Sequence, residues 1–199
     1  MSLVPRKKIS FDCDGVLSEC PWLPIEERTN AHYAKMKPVS EDVVPALHFL
    51  STMYDIYVIS TRGHMNANLG LRAWLHWVLG LELDSIAGVI TYPTHPADEG
   101  TEDTHPPMDK AGIIRNLGII LHIDDSPKVV EACTDRGIYF PSTLYKMEPN
   151  VLPTLPTWNA IVEFLTTPGM EVHGSNGTTV RSPAVEARKV ERLPEELVN

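Results

Sequence analysis

Four short stretches of this chain carry side chains suited to handling phosphate: Asp12-Cys13-Asp14-Gly15, Ser60-Thr61-Arg62, Lys110 and Asp124-Asp125. Three of them follow apolar runs that read as strands, and the lysine opens a helix. If those strands are neighbours in a parallel sheet, four carboxylates and a hydroxyl converge beyond the strand ends, where open α/β sheets bind ligands. Like charges that close do not stay unpaired. A bound cation is the natural remedy, and an all-oxygen donor set favours Mg²⁺ over zinc. The candidate metal-binding residues are Asp12, Asp14, Asp124 and Asp125. A carboxylate nucleophile, a second acid, a hydroxyl, a lysine and Mg²⁺ suit phosphoryl transfer. One Asp would attack phosphorus and form an aspartyl-phosphate, and another would protonate the leaving oxygen and then activate water. The metal and Lys110 would neutralise the phosphate oxygens. Arg62, with Thr61 before it, is placed to grip a substrate beside the site.

The elements that must position these groups follow from periodicity. Lys8-Ile9-Ser10-Phe11 reads as a first strand, and Gly15 permits the sharp turn after it. The run Ile56–Ile59 reads as a second strand, Gly88–Tyr92 as a third, Ile119–Ile123 as a fourth and Ile138–Phe140 as a fifth. Between and after them, helices are expected over Glu41–Met53, Met65–Leu79, Lys110–Leu117, Pro127–Thr134 and Trp158–Leu165. Ser40 and Ser126 are the expected N-caps of the first and fourth of these, and Pro127 suits a first helical position. Trp74 and Trp77, at spacing three, are expected in the core. Strands alternating with helices predict a three-layer α/β fold, a Rossmann-like parallel sheet covered on both faces. Its strands would be near-continuous apolar runs for that reason.

Composition bounds the rest. The 199 residues carry a formal net charge of −9, which repels polyanions at long range and disfavours a dedicated nucleic-acid binder. Cys13, Cys20 and Cys133 fit no zinc spacing and cannot all pair, so a reducing, cytoplasmic setting is expected. Cys13 should point away from the aspartates on either side of it. No stretch approaches the roughly 18 apolar residues of a membrane helix. After Pro168, glycine, serine and asparagine suggest a flexible tail over 168–199, leaving a catalytic domain over 1–167.

Taken in order, Phe11-Asp12-Cys13-Asp14-Gly15-Val16-Leu17, Val58-Ile59-Ser60-Thr61-Arg62, Lys110 and His122-Ile123-Asp124-Asp125-Ser126 resemble the four motifs of the haloacid dehalogenase-like superfamily, spanning most of residues 7 to 141. The resemblance implies Asp12 as nucleophile and Asp14 as general acid/base. It implies Ser60 as the hydroxyl that holds the phosphoryl group, since the family places it directly after the apolar run, and Lys110 as the stabiliser of nucleophile and phosphoenzyme. Asp124, with Asp12 and the backbone carbonyl of Asp14, would hold Mg²⁺, and Asp125 would support them. Dehalogenases of the family lack the second Asp of the first motif, so phosphatase chemistry is expected.

In this superfamily the cap selects the substrate. Only about 18–38 and the loop at about 93–109 are available for insertions here, so the cap is minimal and the site open, or else closed over in a homo-oligomer. His95 and His105 lie in the second insertion, and Trp22 and Tyr33 in the first, where an aromatic could stack on a base or sugar. The Cys-Asp-Gly-Val-Leu and Ile-Asp-Asp-Ser-Pro stretches look most like the nucleotidase-like branch. The expected partner is thus a small phosphorylated substrate such as a nucleotide. The alternatives are a phosphatase of nucleic-acid 3′ or 5′ ends, or a binding module that kept the fold without catalysis.

Overall fold

The structure is a computed structural model; it describes residues 5–19, 31, 34–61, 67–81, 85–92, 109–142 and 151–184. Its centre is a five-stranded, all-parallel sheet in the order β3-β2-β1-β4-β5. The strands are β1 (Lys7–Phe11), β2 (Tyr54–Thr61), β3 (Gly88–Tyr92), β4 (Leu121–Asp124) and β5 (Gly137–Tyr139). The helices are α1 (Val43–Ser51), α2 (Ala67–Trp77), α3 (Lys110–Asn116), α4 (Pro127–Cys133) and α5 (Trp158–Thr166). The element order is the α/β alternation read from the sequence.

Strand alternation sorts the side chains onto two faces. Ile9, Phe11, Ile56, Val58, Leu121 and Ile123 face one way. They share a continuous core with Leu47 and Leu50 of α1, Leu71 and Trp74 of α2, and Trp158 and Phe164 of α5. The Phe11 and Trp158 rings meet at 5.2 Å between centroids, and the Trp158 indole N–H donates to the Val16 carbonyl at 3.1 Å. The opposite face is covered by α3 and α4, where Ile59 packs with Ala111, Ile113, Ile114 and Cys133 in a smaller cluster. Cys13 is buried within the first core, on the side away from Asp12.

Three expectations need correction. Trp74 is buried, and its indole N–H donates to the Met36 carbonyl at 2.8 Å. Trp77 is instead 80% exposed, with its ring edge-on to His76. The buried stripe of α2 runs through Leu71, Trp74 and Leu75, and a residue three beyond Trp74 turns a further 60° away from it. The segment after Pro168 also does not start as a free tail. Glu171–His173 (β6) pairs antiparallel with Thr179–Arg181 (β7). Val180 is buried in the main core, and Lys7 Nζ donates to the Pro183 carbonyl at 2.5 Å. Residues 185–199 lie outside the described residues. Ser40 is not the N-cap of α1 either; Asp42 holds that position, and the Ser40 hydroxyl accepts from its N–H at 3.1 Å.

The turn after β1 is tight. Gly15 has φ of +88°, and a Cβ there would fall 2.0 Å from Asp125 Oδ2, so only glycine lets β1 run this close to the end of β4. The first insertion leaves and re-enters through a paired stem. Glu19 N–H donates to the Lys37 carbonyl at 2.8 Å and Val39 N–H to the Leu17 carbonyl at 3.0 Å.

Candidate active site

The strands that end in the sequence-predicted acids are direct neighbours. β1 pairs with β4 in a register that sets Ser10 opposite His122 and Phe11 opposite Ile123. Asp12, one step further, donates its N–H to the Ile123 carbonyl at 2.9 Å. That register carries Asp12 and Asp124 to the same edge and the same face of the sheet. Asp109 caps α3 by accepting the Ala111 N–H at 3.0 Å. The cap fixes where the helix begins and aims Lys110, its first residue, at the gap between the two acids.

Lys110 Nζ donates to Asp12 Oδ1 at 2.7 Å and to Asp124 Oδ2 at 2.6 Å, and all three side chains are buried. Asp124 is held at further points: the Ser126 N–H donates to Oδ1 at 2.8 Å, and His122 Nε2 lies 2.8 Å from Oδ2. Asp125 accepts from the Ser142 hydroxyl at 2.5 Å. Asp14 is half-buried and receives the Ser18 hydroxyl at 3.5 Å.

The protonation balance is that of a site with too much negative charge. Burial resists the charge on Lys110, but Asp12 and Asp124 outweigh it and push its pKa well above the ordinary lysine range. Burial also opposes ionisation of Asp124, yet Lys110 and His122 hold its pKa below the usual carboxylate range. Asp12 is pushed well above that range by burial, with Asp124, Asp125 and Asp14 adding and Lys110 opposing. Burial, with Asp124 adding, raises Asp125 to about 7 against the Ser142 bond. Burial lowers the pKa of His122 despite its carboxylate partner, so the imidazole is neutral.

One lysine does not offset three buried acids. Asp12, Asp124 and Asp125 each offer a carboxylate oxygen, and these lie within 4.8 Å of one another. A hard divalent cation fits such a cage and would offset the burial and the carboxylate repulsion that together raise the pKa values of Asp12 and Asp125. The Asp14 side chain is not part of that cluster.

The hydroxyl pair at the end of β2 divides between the two faces. Alternation puts Ser60, buried, on the side of Val58, and Thr61 on the side of Ile59. Thr61 Oγ1 donates to the Tyr92 hydroxyl at 2.6 Å. Burial raises the Tyr92 pKa while Lys110 lowers it, so this pair lies within the field of the lysine. Arg62, His95, His105, Trp22 and Tyr33 lie outside the described residues. Sequence reasoning gave no role to Ser10, His122, Tyr92 or Ser142. Ser10 and His122 each stand as a single polar residue inside an apolar run, which is the signal that could have found them.

No family model matches the sequence, and no curated protein does. Solved structures do match. The D,D-heptose 1.7-bisphosphate phosphatase from B. bronchiseptica, complexed with magnesium and phosphate, superposes with a TM-score of 0.53 at 14% identity, over 79% of this chain and 96% of that one. The chain shares the α/β fold of that phosphatase, a parallel five-stranded sheet with helices on both faces. An uncharacterized protein from Listeria monocytogenes serotype 4b gives a TM-score of 0.54 at 11% identity, over 78% of this chain and 93% of that one. At these identities the likeness concerns the fold alone; the chemistry has to be argued from the residues.

Proposed function

We propose that this chain is a Mg²⁺-dependent phosphomonoester hydrolase that works through an aspartyl-phosphate on Asp12. The observation that carries the reading is Lys110, buried and bonded to both Asp12 and Asp124, with Asp125 completing an oxygen-donor cluster at the carboxyl edge of the sheet. Asp12, Asp124 and Asp125 would hold the cation. When bound, Mg²⁺ supplies positive charge against the phosphoryl oxygens. The structural neighbour complexed with magnesium and phosphate supports that choice of ion.

In the proposed reaction Asp12 attacks phosphorus, the bond from phosphorus to the leaving oxygen breaks, and Asp14 gives that oxygen its proton. Water then attacks the phosphoryl group and Asp14 accepts its proton. The bond to Asp12 breaks and the carboxylate is restored. Lys110 stays charged throughout and, buried between Asp12 and Asp124, stabilises the anionic oxygens. Ser60 or Thr61 would hold the phosphoryl group, and Arg62 the rest of the substrate.

The proposed substrate is a small phosphorylated metabolite, with nucleotides the first class to try and sugar phosphates the second. The net charge of −9 favours a small substrate over a polynucleotide. The test is phosphate release from nucleoside monophosphates, sugar phosphates, an aryl phosphate and 3′- or 5′-phosphorylated oligonucleotides, with Mg²⁺ and with chelator. Asp12→Asn protein is the blank. Mg²⁺-dependent release that the blank lacks is expected. Release that persists at the same rate in Asp12→Asn would remove the nucleophile assignment.

A further inference from the structure

Beneath the site, β1 and β4 carry a second polar pair. Ser10 and His122 stand opposite each other in the register, and both are 0% exposed. Ser10 Oγ lies 2.8 Å from His122 Nδ1, and His122 Nε2 lies 2.8 Å from Asp124 Oδ2. Burying a hydroxyl and an imidazole costs free energy that their mutual bond only roughly offsets, and an apolar pair of similar size would avoid the cost. Stability therefore does not account for them. The Ser–His–Asp connectivity is that of an acyl-transfer triad, but no substrate reaches a serine buried between sheet and helices, so Ser10 is not a nucleophile.

The pair leads to Asp124. A carboxylate only accepts, so the ring nitrogen that faces it, Nε2, carries an N–H, while Nδ1 bonds the Ser10 hydroxyl. Asp124 thus has two donors on Oδ2, His122 and Lys110, and they differ. Lys110 also serves Asp12, the group that would carry the phosphoryl in the proposed reaction. The His122 Nε2–H goes to Asp124 alone.

We propose that Ser10 and His122 are positioning residues that fix the orientation and basicity of the Asp124 carboxylate for a divalent cation. The proposal rests on reading Asp124 as a cation ligand. Partners behind a metal ligand typically contribute about 10- to 100-fold in metal affinity.

The test titrates Mg²⁺ alone into the chelator-stripped full chain by calorimetry, with melting temperature recorded alongside. His122→Leu is expected to weaken Mg²⁺ binding by about 10- to 100-fold. His122→Gln, which keeps an N–H near the Nε2 position, should stay within about threefold of the unsubstituted chain. Ser10→Ala, which leaves the tautomer unfixed, should fall between them. Lowered melting temperatures with unchanged Mg²⁺ affinity would mean that the pair only packs, and would overturn the proposal. So would equal losses in Leu and Gln. If His122→Leu does not fold, Ser10→Ala decides: affinity equal to the unsubstituted chain overturns the relay. An unsubstituted chain that takes up no Mg²⁺ would overturn the metal site and the relay together, whereas normal uptake with an indifferent His122→Leu overturns the relay alone.

Discussion

The two faces of the central sheet are built from the same strands and do different things. On the face toward α1, α2 and α5, β1 and β4 present Ile9, Phe11, Leu121 and Ile123 to the main core. On the face toward α3 and α4, the same two strands present Ser10, Asp12, His122 and Asp124, all buried. The first face is mostly apolar, with its polar atoms few and local, such as the Trp158 indole N–H on the Val16 carbonyl and the Ser60 hydroxyl at the strand end. The second holds a column of hydrogen-bonded polar groups, flanked by a smaller apolar cluster on β2, α3 and α4. The difference teaches that in a doubly covered sheet one face can supply most of the stability, so that the other can hold charges the fold would otherwise reject.

The largest expected effect is on the polar face. Lys110→Met removes the cation bonded to Asp12 and Asp124 and leaves two buried carboxylates without it. Phosphate release should fall on the order of 10³-fold. In chelator the protein should lose about 3–5 kcal/mol of stability, part of which Mg²⁺ should restore. Denaturant titrations with and without Mg²⁺, beside turnover, read both. Unchanged stability and turnover would mean that the lysine does not govern this face.

A comparable loss of stability on the other face should leave the chemistry alone. Trp158→Ala empties a large buried site against Phe11 and strands the Val16 carbonyl, which should cost about 3–5 kcal/mol. Phosphate release per folded molecule should not change. If it fell more than about tenfold at temperatures where the variant remains folded, the faces would not be separable in the way their composition suggests.

How much of this was legible in the sequence follows the same division. The strand order of elements, the acids at the ends of β1 and β4, and Lys110 at a helix start were readable because each sits at the end of an apolar run or beside a helix signal. The buried column was not. Ser10 and His122 each show as one polar residue within a strand, but only the β1–β4 register, a pairing between residues 112 positions apart, brings them together. The β6–β7 hairpin was missed for a related reason. Gly174-Ser175-Asn176-Gly177 reads as linker, but the three-residue strands on either side, Glu171–His173 and Thr179–Arg181, each place one valine inward. Trp77 shows the converse error, since spacing three from a buried residue is not by itself a place in the buried stripe.

A smaller effect should appear in the pH dependence of stability. Asp125, raised to about 7 mainly by burial, holds its proton in the folded chain at pH values where the unfolded chain has lost it. Between about pH 4 and 7 the native state therefore binds more protons, and stability falls as pH rises through that window. Asp12, also raised, acts in the same direction. Asp124, held low, loses its contribution only as pH falls below the ordinary carboxylate value, outside the window. In chelator the melting temperature should drop on the order of 5 °C from pH 4 to 7. Saturating Mg²⁺, or Asp125→Asn, should flatten the slope. A melting temperature that rises with pH in chelator would contradict the charge imbalance on this face.

The smallest effect compares two cysteines, one on each face. Cys13 belongs to the apolar core, and Cys133 closes the cluster under the polar face. Burial, with Asp124 adding, raises the Cys133 thiol to about 12. The thiolate is the reactive form, so at pH 8 the native protein should show no labelling at Cys133 over a time in which the unfolded chain reacts fully. Cys13, walled in by apolar side chains, should be equally silent for want of access. Peptide mapping by mass spectrometry separates both from Cys20, which lies outside the described residues. The faces part when the polar one is disturbed. Lys110→Met should expose Cys133 to reagent by loosening α3 against α4, while Cys13 stays protected until global unfolding. Simultaneous labelling of both would mean that the two sides of the sheet open as one unit, and that the division between a stabilising face and a chemical face does not extend to their motions.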